Sequence, residues 1–227
     1  MVGLLAQVIM KKKFEGITDV KGGIATLNLT PGRRVYGEKL VTLNEKEFRM
    51  WNPRRSKLAA AIYKGLKYMP LNKSSKILYL GAAQGTTASH ISDIAVKGII
   101  YCIEISPHAL RKLLEVCTFR SNMVPVLGDA SQPQDYLHLL EKVDVIYQDI
   151  AQPNQTEILI RNSEFLLRDN GYVMLTIKAA SIDTLVDSEK IFVRETRKLR
   201  KAGFNVLQDI RLSPYEKEHA FVIAEKK

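Results

Sequence analysis

The stretch YLGAAQGTT, Tyr79 to Thr87, places two glycines where the apolar run KILYL stops and a pattern with Ala88, Ile91 and Ala95 on one helical face starts. It is neither of the two familiar phosphate loops. No Lys follows Gly85, as G-x-x-x-x-G-K-[ST] demands, and Ala83 stands where G-x-G-x-x-G needs its second Gly. The surroundings decide what such a loop serves. Downstream, strand-like and helix-like segments alternate: IIYCIEI, then a helix with Leu110, Leu113, Leu114 and Cys117 at helical spacing; VPVLGDA, then a short helix opened by Pro133; VDVIYQDI, then a helix through Ile158 and Phe165; YVMLTIKA, then a helix carrying Phe192 and Leu199. That alternation predicts an α/β fold, a mainly parallel Rossmann-like sheet covered on both faces. The runs FNVLQDIRL and HAFVIAEK are separated only by the turn SPYEKE, too short for a crossover helix, so the final strand is expected to be antiparallel.

Upstream of the loop, Leu58, Ala61, Ile62 and Leu66 recur at helical spacing behind Ser56, a candidate N-cap. Before Trp51 the text consists of short alternating segments broken by turn formers, such as GGIATLNL and LTPGRRVYGEKLVTL, with no helix of consequence. Two units are therefore expected: a small β-rich domain over residues 1–52 and the Rossmann-like domain over 53–227.

Composition sets the outer bounds. In 227 residues, 46% hydrophobic and 26% charged, there is ordinary globular chemistry and enough chain for a sizeable core. Cys102 and Cys117 offer neither a metal-ligand spacing nor a disulfide framework, so they read as small hydrophobes in a reducing compartment and no metal is expected. The apolar stretch Val2 to Met10 is too short to span a membrane and lacks a cleavable small-residue site, which makes a cytoplasmic protein the expectation. Thirty-four Lys and Arg against 24 Asp and Glu leave a net charge of +10, a field that draws polyanions. Basic residues gather at Lys11 to Lys13, Arg33 and Arg34, Arg54, Arg55 and Lys57, and from Arg194 to Lys201.

In parallel sheets of this kind the ligand lies beyond the carboxyl ends of the strands. Gly81 and Gly85 follow the first strand and let backbone approach a ligand; Glu104 ends the second, near the roughly 20-residue spacing at which an acid accepts from ribose hydroxyls. Asp129 in GDA follows the third, placed for an adenine amine, and Asp149 and Gln152 follow the fourth. A pyrophosphate would be repelled by such a ring of carboxylates, whereas a nucleoside bearing a sulfonium gains about 4 kcal/mol per opposite charge at 4 Å for a surface-like dielectric. The acids thus favour S-adenosylmethionine over NAD.

The segments VYGE, WNPRRSKLAAAI, YLGAAQGTTASHISDI, GDA, VDVIYQDIAQPNQ, KAASID and PYEKEHAF, in this order from about Val35 to Val222, resemble fibrillarin in its short archaeal form. The resemblance implies a small N-terminal β domain on a class I S-adenosylmethionine-dependent methyltransferase domain, and a 2'-O-methyltransferase for ribosomal and transfer RNA working in a box C/D guide ribonucleoprotein. Its implied partners are a Nop-domain scaffold protein, a kink-turn-binding ribosomal-type protein, the guide RNA and the target RNA. Cofactor contacts implied by position fall on Thr86, Thr87, Glu104, Ile105, Asp129, Ala130, Asp149, Ile150, Ala151 and Gln152. The family's proposed catalytic tetrad falls on Lys57, Asp149, Lys178 and His219. Gln84 replaces the family's usual Ser and Ala180 its usual Arg, the latter removing a cation beside Lys178.

The residues carry their own chemistry. A ribose 2'-hydroxyl is a weak acid, so transfer needs in-line placement and help with a proton. Lys178, if charged, orients and sets the field rather than acting as a base; His219 suits the base role on intrinsic pKa, though taken alone it reads first as a satisfied strand-end histidine. Lys57, with Arg54 and Arg55, opposes the dipole of the helix it opens, at about 0.3–1 kcal/mol, which makes sense if a phosphate or carboxylate arrives there. Strand, glycine and acid alone also permit a nicotinamide-dependent oxidoreductase, against which the missing G-x-G-x-x-G speaks, or a non-catalytic scaffold. No RNA-recognition motif, zinc knuckle or aromatic platform is legible, as suits a protein that leaves target choice to base pairing.

Overall fold

The computed structural model describes residues 11–227, so the stretch Val2 to Met10 lies outside the described residues. Five short strands come first: β1 (Lys11–Phe14), β2 (Ile17–Val20), β3 (Gly23–Leu27), β4 (Leu40–Leu43) and β5 (Lys46–Met50). They form one antiparallel sheet in the order β1-β2-β3-β5-β4.

The chain then enters α1 (Lys57–Tyr63), where the Ser56 hydroxyl accepts from the Ala59 N–H, as an N-cap does. Leu66, on the same sequence pattern, lies beyond the helix yet is buried. Next come β6 (Lys76–Leu80), α2 (Thr86–Ile94), β7 (Ile99–Glu104), α3 (Pro107–Cys117), β8 (Met123–Leu127), β9 (Val143–Gln148), α4 (Gln155–Leu166) and β10 (Leu167–Lys178). The short α5 (Ala179–Ile182), α6 (Ser188–Lys201), β11 (Phe204–Arg211) and β12 (His219–Lys226) complete it. These seven strands take the order β11-β12-β10-β9-β6-β7-β8. β8, β7, β6, β9 and β10 are parallel, and β12 enters between β10 and β11 antiparallel to both, as the short SPYEKE turn requires.

Apolar clusters fill both faces of the large sheet. One of them continues into the small sheet, since Ile17, Ile24 and Trp51 pack in the cluster that holds Ala88, Ile91 and Ile94 of α2. Cys102 is buried and Cys117 partly so, both as free thiols, and burial pushes the Cys117 thiol up to about 11.

The local reading needs correction in two places. The segment opened by Pro133 is not an α-helix but two 3-10 turns, Pro133–Asp135 and Leu137–Leu139, whose N–H groups close onto carbonyls three residues back. Proline supplies the fixed φ for a first turn, and single 3-10 turns suffice in so short a connection. Leu114, expected on the buried stripe of α3, is exposed; only Leu113 of that helix is fully buried. Among the described residues no helix is long and apolar enough to cross a membrane.

Candidate active site

The carboxyl ends of β6, β7, β8, β9 and β10 converge on a cavity of about 330 Å³. Gly81, at φ +80°, stands at its narrowest join: a Cβ there would meet the Asp149 carbonyl oxygen and Ile150 Cγ2, each at 2.8 Å. Only glycine lets the tips of β6 and β9 come so close. Two residues on, Ala83 is left-handed at φ +49°, which costs a residue with a Cβ about 1–2 kcal/mol. The turn aims the Ala83 N–H at Glu104 Oε2, 2.7 Å away, while the Ser106 N–H donates to Oε1 at 2.8 Å. Glu104, 7% exposed, is thus oriented by two backbone amides, and each oxygen keeps a lone pair for a ligand.

Beyond β8, Asp129 accepts from the Ser131 N–H at 2.8 Å through Oδ1, and Ala130 continues the wall. Ile105 covers the cavity from the end of β7, and Asp149, Ile150, Ala151 and Gln152 line it beyond β9. Sequence reasoning did not single out Ala83, Ile103, Gly128 or Ile158, which also line it. For Ala83 no sequence signal exists, because its role is carried by a backbone N–H.

Asp149 is the hub at the rim. Its Oδ1 lies 2.7 Å from the Lys178 Nζ and its Oδ2 3.5 Å from the Lys57 Nζ, so one carboxylate spans two ammoniums. All three side chains keep 13–22% of their surface exposed. Lys57 is also 3.9 Å from Glu216 Oε1, a contact not anticipated from sequence. His219 faces Lys178 across the β10–β12 ladder. Its Nδ1 lies 2.6 Å from the Lys217 carbonyl oxygen, so Nδ1 carries the proton of that hydrogen bond and Nε2 is the ring nitrogen left without one.

Beneath Asp149, Tyr79 and Tyr147 pack with ring centroids 4.5 Å apart. Burial first, and then neighbouring negative groups including Asp149, push both phenols well above their usual range. They stay neutral and do not compete with Asp149 for the lysines.

Three residues expected at the cofactor stand off the cavity wall. Gly85 is the left-handed residue that starts α2, at φ +85°, and its Cβ would approach Leu113 Cδ1 at 3.0 Å. Thr86 opens α2, its carbonyl accepting from the Ser89 hydroxyl. The Thr87 hydroxyl donates to Ser56 Oγ at 3.0 Å, tying α2 to the N-cap that delivers Lys57. Among the described residues no His, Cys, Asp and Glu group could hold a metal ion.

Of the basic clusters, Lys198 is engaged by Glu157 and Glu195, and Arg33 lies 3.4 Å above the Phe119 ring centroid, rimming a groove of about 480 Å³ with Arg34 and Lys112.

The strand order, the antiparallel β12 and the acids at the strand tips define a class I S-adenosylmethionine-dependent methyltransferase fold with a small antiparallel sheet ahead of it. The Fibrillarin family profile matches residues 8–227, and the chain belongs to the fibrillarin family. It is 48% identical over 224 residues to a fibrillarin-like rRNA/tRNA 2'-O-methyltransferase of Methanocaldococcus jannaschii, covering 96% of this chain and 97% of that one. Aeropyrum pernix fibrillarin, solved in complex with natively bound S-adenosyl-L-methionine, superposes with a TM-score of 0.84 at 45% identity over 92% of each chain. The fibrillarin of a fibrillarin/Nop5p complex gives 0.89 at 40% identity, over 96% of this chain and all (100%) of that one.

Proposed function

We propose that this chain transfers a methyl group from S-adenosylmethionine to ribose 2'-hydroxyls of rRNA and tRNA, as the catalytic member of a box C/D guide ribonucleoprotein. The observation that carries the reading is Asp149 bridging Lys57 and Lys178 at the rim of a cavity walled by strand-end acids. The names of its relatives, the cofactor bound to the A. pernix protein and the Nop5p complex support it.

The residues present fit the cofactor. Gly81 keeps the join open, Glu104 has acceptor capacity for ribose hydroxyls, Asp129 has it for an adenine amine, and negative wall charge favours a sulfonium. Bound there, S-adenosylmethionine supplies an electrophilic methyl group. The chain's side chains do the rest. Asp149 fixes the two ammoniums, and Lys57 and Lys178 point donors at the acceptor sugar, steadying negative charge as it grows on the 2'-oxygen. An ammonium cannot accept a proton, so we assign that step to the free Nε2 of His219.

A Nop-domain scaffold protein and a kink-turn-binding protein would hold the chain on guide RNA, base pairing would choose the nucleotide, and the protein would contribute backbone contacts through its Lys and Arg. We place it in the cytoplasm, as a two-unit chain divided near residue 52. The test is methylation with radiolabelled S-adenosylmethionine and a guide–target RNA pair, with and without both partner proteins. Label at the guided 2'-oxygen only in the full assembly supports the proposal; label without guide dependence, or none, rejects it.

A further inference from the structure

We infer that Glu216 is a positioning residue for Lys57, a second carboxylate that holds the lysine ready at the rim; the inference rests on the 2'-O-methyltransferase reading above. The ammonium of Lys57 lies 3.5 Å from Asp149 Oδ2 and 3.9 Å from Glu216 Oε1. Neither contact is a hydrogen bond, and the ion pair of Lys178 with Asp149 Oδ1, at 2.7 Å, is the closer of the two that Asp149 makes. Lys57 therefore stands between two carboxylates from different elements, the end of β9 and the β11–β12 turn, with its N–H donors uncommitted. With Asp149 as its lone carboxylate it would share that group with the more closely bound Lys178, and nothing would draw it toward the turn.

The turn is built to hold that carboxylate still. The N–H groups of Tyr215 and Glu216 both donate to the Leu212 carbonyl, at 3.0 and 3.3 Å. The Tyr215 ring packs on Tyr63, centroids 5.7 Å apart, and Tyr63 ends the helix that Lys57 begins. One short segment is thus anchored to the helix of Lys57 and presents Glu216 to Lys57 and, three residues on, His219 opposite Lys178. The four groups also match in charge: the ammoniums of Lys57 and Lys178 face the carboxylates of Asp149 and Glu216.

The test uses the full chain in the assembled particle. Glu216→Gln is expected to lower kcat about tenfold, short of the roughly 100-fold or more of a group that itself moves a proton, with KM for RNA and calorimetric affinity for S-adenosylmethionine within about twofold. Glu216→Asp should recover part of the loss. In a Lys57→Met background, Glu216→Gln should cost nothing further, as expected when two residues act as one unit. Thermal unfolding of Glu216→Gln within about 2 °C of the parent would show an intact fold, as for a surface change. A Glu216→Gln particle with parental kcat, or an equal loss in the Lys57→Met background, overturns the inference while leaving the reading of the reaction standing. A parent that binds S-adenosylmethionine yet leaves guided RNA unmethylated overturns both.

Discussion

Two aspartates in this molecule are each gripped by two cations, and they are built differently. Asp93, in α2, accepts from Arg49 at 2.9 Å, Arg120 at 2.7 Å, Thr26 at 2.7 Å and the Leu29 N–H at 3.2 Å, with no exposed surface. Around it Arg49 also holds Glu38, and His90 bridges Thr26 and Tyr36 under the stacked Trp51 ring. Asp149 has lysines in place of arginines, one contact short and one long, all partly open to solvent. Guanidinium forks saturate a carboxylate and lock the small sheet onto α2; ammoniums on flexible stems leave donors for something that has yet to arrive. Local charge counts look alike, so purpose is set by saturation and exposure.

The sharpest way to break the comparison is to remove one cation from each site. Arg49→Met leaves Asp93 and Glu38 buried with a partner missing, for an expected loss of about 3–5 kcal/mol, read by denaturant unfolding. At a temperature where the variant is folded, its kcat should match the parent's. Lys57→Ala and Lys178→Ala should do the reverse. Each is expected to lower kcat by about 100-fold or more, with the affinity for S-adenosylmethionine retained and unfolding little changed. Activity lost in step with stability at Arg49, or stability lost in step with activity at the lysines, would erase the distinction.

Smaller changes sharpen it. Gly81→Ala must fit a Cβ 2.8 Å from the Asp149 carbonyl at φ +80°, and should cost about 1–3 kcal/mol together with a measurable loss of cofactor affinity by calorimetry. His90 acts only through pH. Burial, then the charges of Arg49 and Arg120, hold its folded-state pKa well below 6.5, so it stays neutral when folded and takes a proton when unfolded. Its contribution to stability is complete above pH 6.5 and is lost as pH falls below it, by up to about 1.4 kcal/mol per pH unit. His90→Gln should flatten that acid limb in thermal unfolding between pH 7 and 5.

The sequence foretold one of the two sites far better than the other. Glu104, Asp129 and Asp149 were legible because each comes at or just after the end of an apolar, strand-like run, and strand tips in a parallel sheet share one edge. Asp93 was not, since HISDI reads as a helix with a polar face. Only the small sheet packed against that face turns Ser89, His90 and Asp93 into interior groups. Glu216 and Ala83 were invisible for another reason: a turn acid looks solvated until Tyr215 is seen packed on Tyr63, and a backbone N–H has no letter. The Pro133 segment shows the converse limit, because proline marks the start of a turn without saying how many turns follow.

The most direct measurement is single-turnover 2'-O-methylation by the assembled particle with Asp149→Asn, scored at the guided nucleotide after confirming by calorimetry that S-adenosylmethionine still binds. The account predicts a bound methyl donor and a rate reduced by about 100-fold or more, because the lysines lose the charge that gathers them. Methyl transfer at the parental rate would contradict it.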